Sequence, residues 1–232
     1  MELSPDAVVL YDGPGFVINA TLAGSWVVTA LLVAGSWVIT RNLRAEPPVP
    51  RWQGILEVLV TAVRTQIAEV WSGPPERFVP FVGTLFLYIS TCGLLSLMPG
   101  FLPPTGSLST TAALSLAVFL AVPFYGVLHR GWRGYLGNYL KPTPLMLPFN
   151  LIGELSRTIA LAVRLFGNMM SGTLLLGILL TVAPLFFPVL VQLLGLLVGQ
   201  IQAYIFAVLA MVYIASAAQV QQETNQLEEQ DG

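Results

Sequence analysis

The chain has 232 residues, of which 55% are hydrophobic and 9% charged, with a formal net charge of −2. A soluble domain carries about 25% charged residues, and several apolar runs here reach the roughly 20 residues that cross a hydrocarbon core, so a soluble fold is excluded and a polytopic α-helical membrane protein is expected. The runs lack period-2 alternation, which excludes an outer-membrane barrel, and the single cysteine, Cys92, excludes a disulfide within the chain.

Residues 1–17 read as a short polar segment outside the membrane. They carry Glu2, Asp6 and Asp12 and no Lys or Arg, unlike the basic start of a signal peptide. The first span is expected over residues 18–40, ending before Arg41, Arg44 and the breaker EPPVP. Across residues 51–71, Glu57, Arg64 and Glu69 interrupt the apolar positions near helical spacing. That pattern predicts an amphipathic helix on the membrane surface, with a short soluble connector as the alternative.

The segment SGPPERF breaks that helix, and residues 78–98 form the expected second span. PGFLPPTGS is a charge-free turn before a third span over 109–128. The loop HRGWRGYLGNYLKPTPLMLP carries Arg130, Arg133 and Lys141, with His129 at the interface. Two over-long helices follow, 148–183 and 188–220, joined by a turn with Pro184 and Pro188, and then an acidic tail, 221–232. Helices longer than the bilayer is thick must tilt. Trp52, Trp71 and Trp132 fall near expected interfaces as an aromatic belt does, whereas Trp26 and Trp37 are expected to pack.

The fold class is therefore all-α, a single membrane domain with five crossing helices and one surface helix. Of ten Lys and Arg residues, Arg164 alone lies deep in a span. The other nine fall on one side, which the positive-inside rule makes cytoplasmic, with the N-terminus outside and the C-terminus inside.

Arg164 sets the chemistry. A lone arginine at membrane depth costs roughly 2.5–3.5 kcal/mol on insertion scales. Glu154, Arg157, Arg164, Asn168 and Ser171 make one polar stripe on an otherwise apolar helix, with Thr173 to its side. Glu154 is placed to pair with Arg157. Gln192, Gly195, Gly199 and Gln202 share a face of the last helix, with Tyr213 and Ser216 further along and Gln200 pointing elsewhere. The glycines on that face favour close helix approach, and Gln202 is a candidate neighbour of Arg164. None of the twelve acids lies deep in an expected span. A guanidinium cannot shed its proton, so its counter-charge comes from another subunit, from lipid phosphate or from water in a cavity. The mid-span position argues against lipid phosphate. The alternative is a structural arginine held by carbonyls and by the amides of Asn168 and Gln202.

At these residues the sequence resembles a known family. RLFGNMMSG, 164–172, closely resembles the signature of subunit a of F-type ATP synthases. IQAYIFAVLAMVYIA, 201–215, is similar to that family's C-terminal helix, and ELSRTIALAVRLFGN, FVPFVGTLFLY and PPTGSLSTTAALSLAVF match its pattern in order. The resemblance implies a membrane stator that carries ions past a rotor ring through two offset half-channels. Arg164 then stands opposite the carboxylate of ring subunit c and displaces its ion, with Asn168 and Gln202 lining the region. Ser171, Thr173, Gln192, Ser107, Ser109 and Tyr213 become half-channel candidates, with Glu154 and Arg157 at the cytoplasmic inlet. The long hairpin lies tilted along the ring. The implied partners are subunit c, peripheral-stalk subunit b, the remaining synthase subunits and the bilayer, with no nucleic acid. The implied location is a bacterial plasma membrane, with a thylakoid membrane as the alternative.

GxGxxG, Walker and metal-ligand motifs are missing, so the subunit is expected to be non-catalytic, with no cofactor and no metal. The sequence departs from the family pattern where relatives carry ionisable groups. Thr173 and Gly195 stand at such positions, Ser107 and Ser109 fall in a loop that commonly carries Asp and Asn, and Cys92 stands for the usual Asn. Hydroxyls hydrate a cation without titrating near neutral pH, which suggests sodium as the ion, as in the divergent N-type enzymes. A water-filled proton path is the alternative. Two further readings are a self-contained secondary transporter, for which repeated halves with broken helices are expected, and a membrane scaffold, for which the deep arginine is needless cost.

Overall fold

The computed structural model describes residues 6, 9–13, 16–41, 51–71, 73, 75–98, 100–140, 146–183 and 187–230, with side chains described for those stretches apart from 10, 12–13, 16–17, 51–52, 129–140, 146–147 and 217–230. The described chain is almost entirely helical. Six helices run in the order α1 (Ala20–Thr40), α2 (Arg51–Val70), α3 (Val79–Leu95), α4 (Leu108–Leu140), α5 (Met146–Val182) and α6 (Phe187–Gln230).

Residues 9–19 correct the expected polar segment. β1 (Val9–Gly13) and β2 (Phe16–Asn19) pair antiparallel, with Val9 opposite Asn19 and an irregularity between Val9 and Tyr11. Val, Leu, Tyr, Phe and Ile on either side of a DGPG turn supply the strand and turn preferences. The hairpin brings Asp6 back to the start of α1, where it accepts a hydrogen bond from Thr21.

Among the described residues, four stretches are long and apolar enough to cross a membrane: α1, residues Leu108–Leu128 of α4, Pro148–Val182 of α5 and Phe187–Ser216 of α6. The expected second span is shorter than its boundaries of 78–98 suggested, because α3 has 17 residues. α2 keeps the expected boundaries almost unchanged. α4 continues through the basic loop to Leu140. Trp132, Tyr135, Leu136, Tyr139 and Leu140 recur there at helical spacing, a signal that the basic residues obscure. α6 likewise runs on to Gln230 through most of the expected tail. The breaker EPPVP, Lys141 and the turn residue Pro184 lie outside the described residues.

α6 is the element on which α2, α3, α4 and α5 all pack. Ala203, Phe206, Ala207, Ala210, Met211, Ile214 and Ala215 are all buried and recur at helical spacing. One cluster joins Leu85 and Ile89 of α3, Val118 of α4, and Leu161 and Leu165 of α5 to Ala203, Phe206 and Ala210. A second joins Ile67 of α2, Phe78 and Val82 to Ala121, Val122, Ala207, Met211 and Ile214. Lipid is as apolar as these side chains, so close van der Waals packing through small residues holds the helices together. Trp71 joins this core edge-on to Phe78, with ring centroids 5.5 Å apart. Trp26 and Trp37, expected to pack, are exposed, and Arg41 lies over the Trp37 ring at 5.1 Å.

α1 is seated on the turn Pro104–Gly106 through Gly24, where an added Cβ would stand 3.1 Å from Pro104 Cγ. Around Gly35 of the same helix there is open space. Gly24→Val is therefore expected to cost about 1–3 kcal/mol through overpacking, and Gly35→Val to lack that penalty. Thermal unfolding of the two variants in one detergent checks this.

Candidate functional site

Arg164 stands where two packing constraints leave it outside. Leu161 and Leu165 on the same helix are buried against α3, α4 and α6, and this turns Arg164 and Asn168 to the exposed face of α5. Asn168 reaches back and donates from Nδ2 to Gln202 Oε1 at 2.7 Å. Gln202 is buried at 3% exposure, and its Nε2 finds no acceptor among the described residues. The two polar stripes expected from the sequence therefore meet at this pair. No described residue forms a hydrogen bond or ion pair with Arg164, so the reading of an arginine held by the two amides is not what the structure shows. The centre is rich in donors and short of acceptors.

At the end of the bundle where α1 and α4 begin, the serines of PTGSLSTT have a partner that the sequence did not reveal. Ser107 Oγ donates to Asp6 Oδ2 at 2.5 Å and Thr21 Oγ1 to Asp6 Oδ1 at 2.6 Å. Ser109 Oγ lies 2.6 Å from Ser107 Oγ and 3.2 Å from Asp6 Oδ1. The β hairpin brings this acid back to the start of α1, where Asp6 reaches across to α4. Asp6, Asn19, Thr21, Ser25, Tyr88 and Ser109 line an open cleft of about 520 Å³. Burial pushes the Asp6 carboxyl up, but the hydrogen bonds from Ser107, Thr21 and Ser109 outweigh it and hold the group below its ordinary value of 3.8.

The opposite end holds the second polar group. Glu154, Arg157, Thr158 and Tyr213 line a cavity of about 20 Å³ with Val118, Phe119 and Val122 of α4, room for about one water. Arg157 lies over the Tyr213 ring at 5.5 Å, in place of the expected pairing with Glu154. Pro123 lies inside α4 and lacks the N–H that would bond the carbonyl of Phe119, one of the residues lining this cavity. From Ser109 to Val122 the two polar ends lie about 20 Å apart along α4.

The remaining candidates are more local. Ser171 Oγ donates to the Asn168 carbonyl at 3.1 Å and Thr173 Oγ1 to the Met170 carbonyl at 2.9 Å. Gln192 Nε2 approaches the carbonyls of Ser96 and Leu97 at 3.4 and 3.3 Å. Tyr213 belongs with Arg157 at the far end. Gly195 faces open space and Gly199 meets Met169 at an ordinary 3.5 Å, whereas Gly93 of α3 lies tight against α6, where a Cβ would stand 3.2 Å from Gln200 Nε2.

A sequence-family model described as "ATP synthase A chain" matches residues 22–215. The chain belongs to this family. It is 56% identical over 226 residues to "ATP synthase subunit a 2" of Acaryochloris marina, covering 97% of each chain. It is 55% identical to "ATP synthase subunit a 1" of Chlorobaculum parvum, covering 97% of this chain and 99% of the relative. It is 52% identical to "ATP synthase subunit a" of Albidiferax ferrireducens, covering 94% of each. The matched span takes in Arg164, Asn168, Gln202 and both serines of the α4 start, whereas Asp6 precedes it.

Within this member of the ATP synthase A chain family, two polar residues escaped the sequence reading. Ser90 donates to Gln200 Oε1, and Gln200 Nε2 returns a bond to the Ser90 carbonyl at 3.1 Å. Gln200 was set aside because it lies off the Gln202 face. The signal that could have found the pair is Ser90 itself, a hydroxyl in an apolar helix that must bond somewhere.

Asn168→Ala leaves the buried Gln202 Oε1 without its donor and is expected to cost about 1–3 kcal/mol. A double-mutant cycle with Gln202→Leu in thermal unfolding should give a coupling well above zero, while additive effects would contradict the pairing. Asp6 has its folded pKa lowered, so its anchoring is fully present above the unfolded value and lost as pH falls through the folded one. The stability gap between the wild type and Asp6→Ala should therefore be constant from about pH 5 upward and vanish in stronger acid, as read by unfolding across pH.

Proposed function

We propose that this chain is the ion-translocating stator subunit of a rotary F-type ATP synthase, in which Arg164 faces the carboxylates of a moving ring of c subunits. The observation that carries this reading is the Arg164 guanidinium on the exposed face of a long apolar helix with no partner among the described residues, one turn from Asn168, whose partner Gln202 keeps a buried donor without an acceptor among them. Two donors without an acceptor among the described residues, the Arg164 guanidinium and Gln202 Nε2, can be met by an acceptor from outside the chain. A carboxylate with its ion bound is neutral and can face lipid. As it comes beside the fixed cation, the ionised form is favoured and the ion leaves. The same charge repels a free cation and so closes the direct route between the two polar ends.

In this reading the chain forms a single membrane domain over 1–232. It crosses the membrane five times, with α3 as the short crossing and α2 on the surface. The long helices α5 and α6 lie tilted along the ring. The N-terminus is outside and the C-terminus cytoplasmic. Ser107 and Ser109 mark the outer half-channel, with Ser171, Thr173 and Gln192 along it. Glu154 and Arg157 mark the cytoplasmic inlet, where Tyr213 joins them. A potential of 100 mV supplies roughly 2.3 kcal/mol per charge, so several ions pass for each ATP. Subunit b and the rest of the complex hold the chain against the torque of the ring.

The transported ion is read as sodium, because Thr173 and the hydroxyls of the α4 start stand where relatives carry titratable groups. Pumping that is sodium-independent and uncoupler-sensitive in reconstituted vesicles would sink that part. The central reading is tested by Arg164→Ala in the whole complex. ATP-driven ion transport should fall to background with all subunits still assembled, and pumping at the wild-type rate would overturn it.

A further inference from the structure

We propose that Asp6 is the outer cation-receiving group of this chain and that the hydroxyls of α4 conduct the cation inward from it. This rests on the half-channel reading above and adds a residue that lies before the family-matched span. Asp6 is bound by three hydroxyls, those of Thr21, Ser107 and Ser109. It is the carboxylate among the residues lining a cleft of about 520 Å³, where the other titratable group is Tyr88. Asn19 lines the same cleft, and its Oδ1 is a buried acceptor with no donor among the described residues. The cleft thus has an anionic carboxylate in its wall, with a buried, unfilled carbonyl on one of its lining residues. A single negative charge in a cleft with low-dielectric walls concentrates cations at its mouth.

The inward direction is set by α4. Ser107, Thr111 and Ser115 recur every four residues and are buried at 0–1% exposure. Each of the last two hydroxyls donates to a carbonyl of its own helix, Thr111 to Leu108 at 3.1 Å and Ser115 to Ala112 at 3.0 Å. That leaves oxygen lone pairs free to accept. The ladder ends one turn before Val118, which packs with Leu161 and Leu165 on either side of Arg164 in the chain. Asp6 thus gathers the cation, and Thr111 and Ser115 offer oxygens on the way to the level of Arg164.

The test uses the complete enzyme in vesicles, making ATP under an imposed potential. The lumen facing Asp6 is loaded with graded sodium at fixed pH, or with graded pH without sodium. Asp6→Asn should raise the half-saturating cation load by about tenfold, with the saturating rate retained, and Asp6→Glu should restore it. The double variant Thr111→Val, Ser115→Ala should instead lower the saturating rate. An unchanged half-saturating load in Asp6→Asn overturns the proposal. If Asp6→Asn does not assemble, the wild type is measured in rising choline chloride. A half-saturating load that rises with ionic strength supports the charge, and a flat response overturns it. Arg164→Ala runs beside these variants. If it pumps normally, the stator reading fails, whereas if it is silent while Asp6→Asn behaves as wild type, only the role of Asp6 fails.

Discussion

The structure depends on one constraint: a guanidinium in a membrane helix that finds no acceptor among the described residues of its own chain. Burial of Leu161 and Leu165 leaves no place for Arg164 but the outer face of α5. The Asn168–Gln202 bond then ties that face to α6 directly behind the charge. The helix pair is thus rigid where the charge stands, and the charge is free where a partner would meet it. A salt bridge formed within the chain would neutralise the cation and remove its use.

In the proposed reading, the rest of the fold leaves two polar approaches to that point. Alanines on α6 draw α3 and α4 close and fill the middle of the bundle with apolar contacts. Polar groups gather at the ends: Asp6 with the serines of the α4 start at one, and Glu154, Arg157 and Tyr213 at the other. A continuous polar path would let ions run down their gradient without work. In the proposed mechanism, two separated polar ends with Arg164 between them oblige an ion to travel on a moving carboxylate of the ring.

Much of this was legible in the residues. Long apolar runs gave the helices, and the seven-residue step from Arg157 to Arg164 put both on one stripe. Helical spacing on α6 placed Gln202 toward Arg164's helix, where the structure has it bonded to Asn168. What could not be read was the contact of Asp6. It depends on a β hairpin reversing the chain, and its bonds to Ser107 and Ser109 join residues about a hundred positions apart, beyond any local periodicity. The expected Glu154–Arg157 pair failed for a related reason. Spacing on one helix allows that pair, but the Tyr213 ring of another helix competes for the guanidinium, and only packing decides between them. The continuation of α4 was hidden because its basic residues drew attention to topology and away from the apolar spacing beneath.

The account stands on Arg164 facing a carboxylate of another subunit. The most direct measurement is disulfide trapping in the assembled complex, in a Cys92→Ser background. One cysteine replaces Ser171, which is exposed on the same stripe, and the other is walked along the carboxylate-bearing helix of the ring subunit. Cross-links should peak at positions flanking that carboxylate and repeat with helical spacing along one face. Cross-linking that is absent there, or spread evenly around the ring helix, would contradict the account.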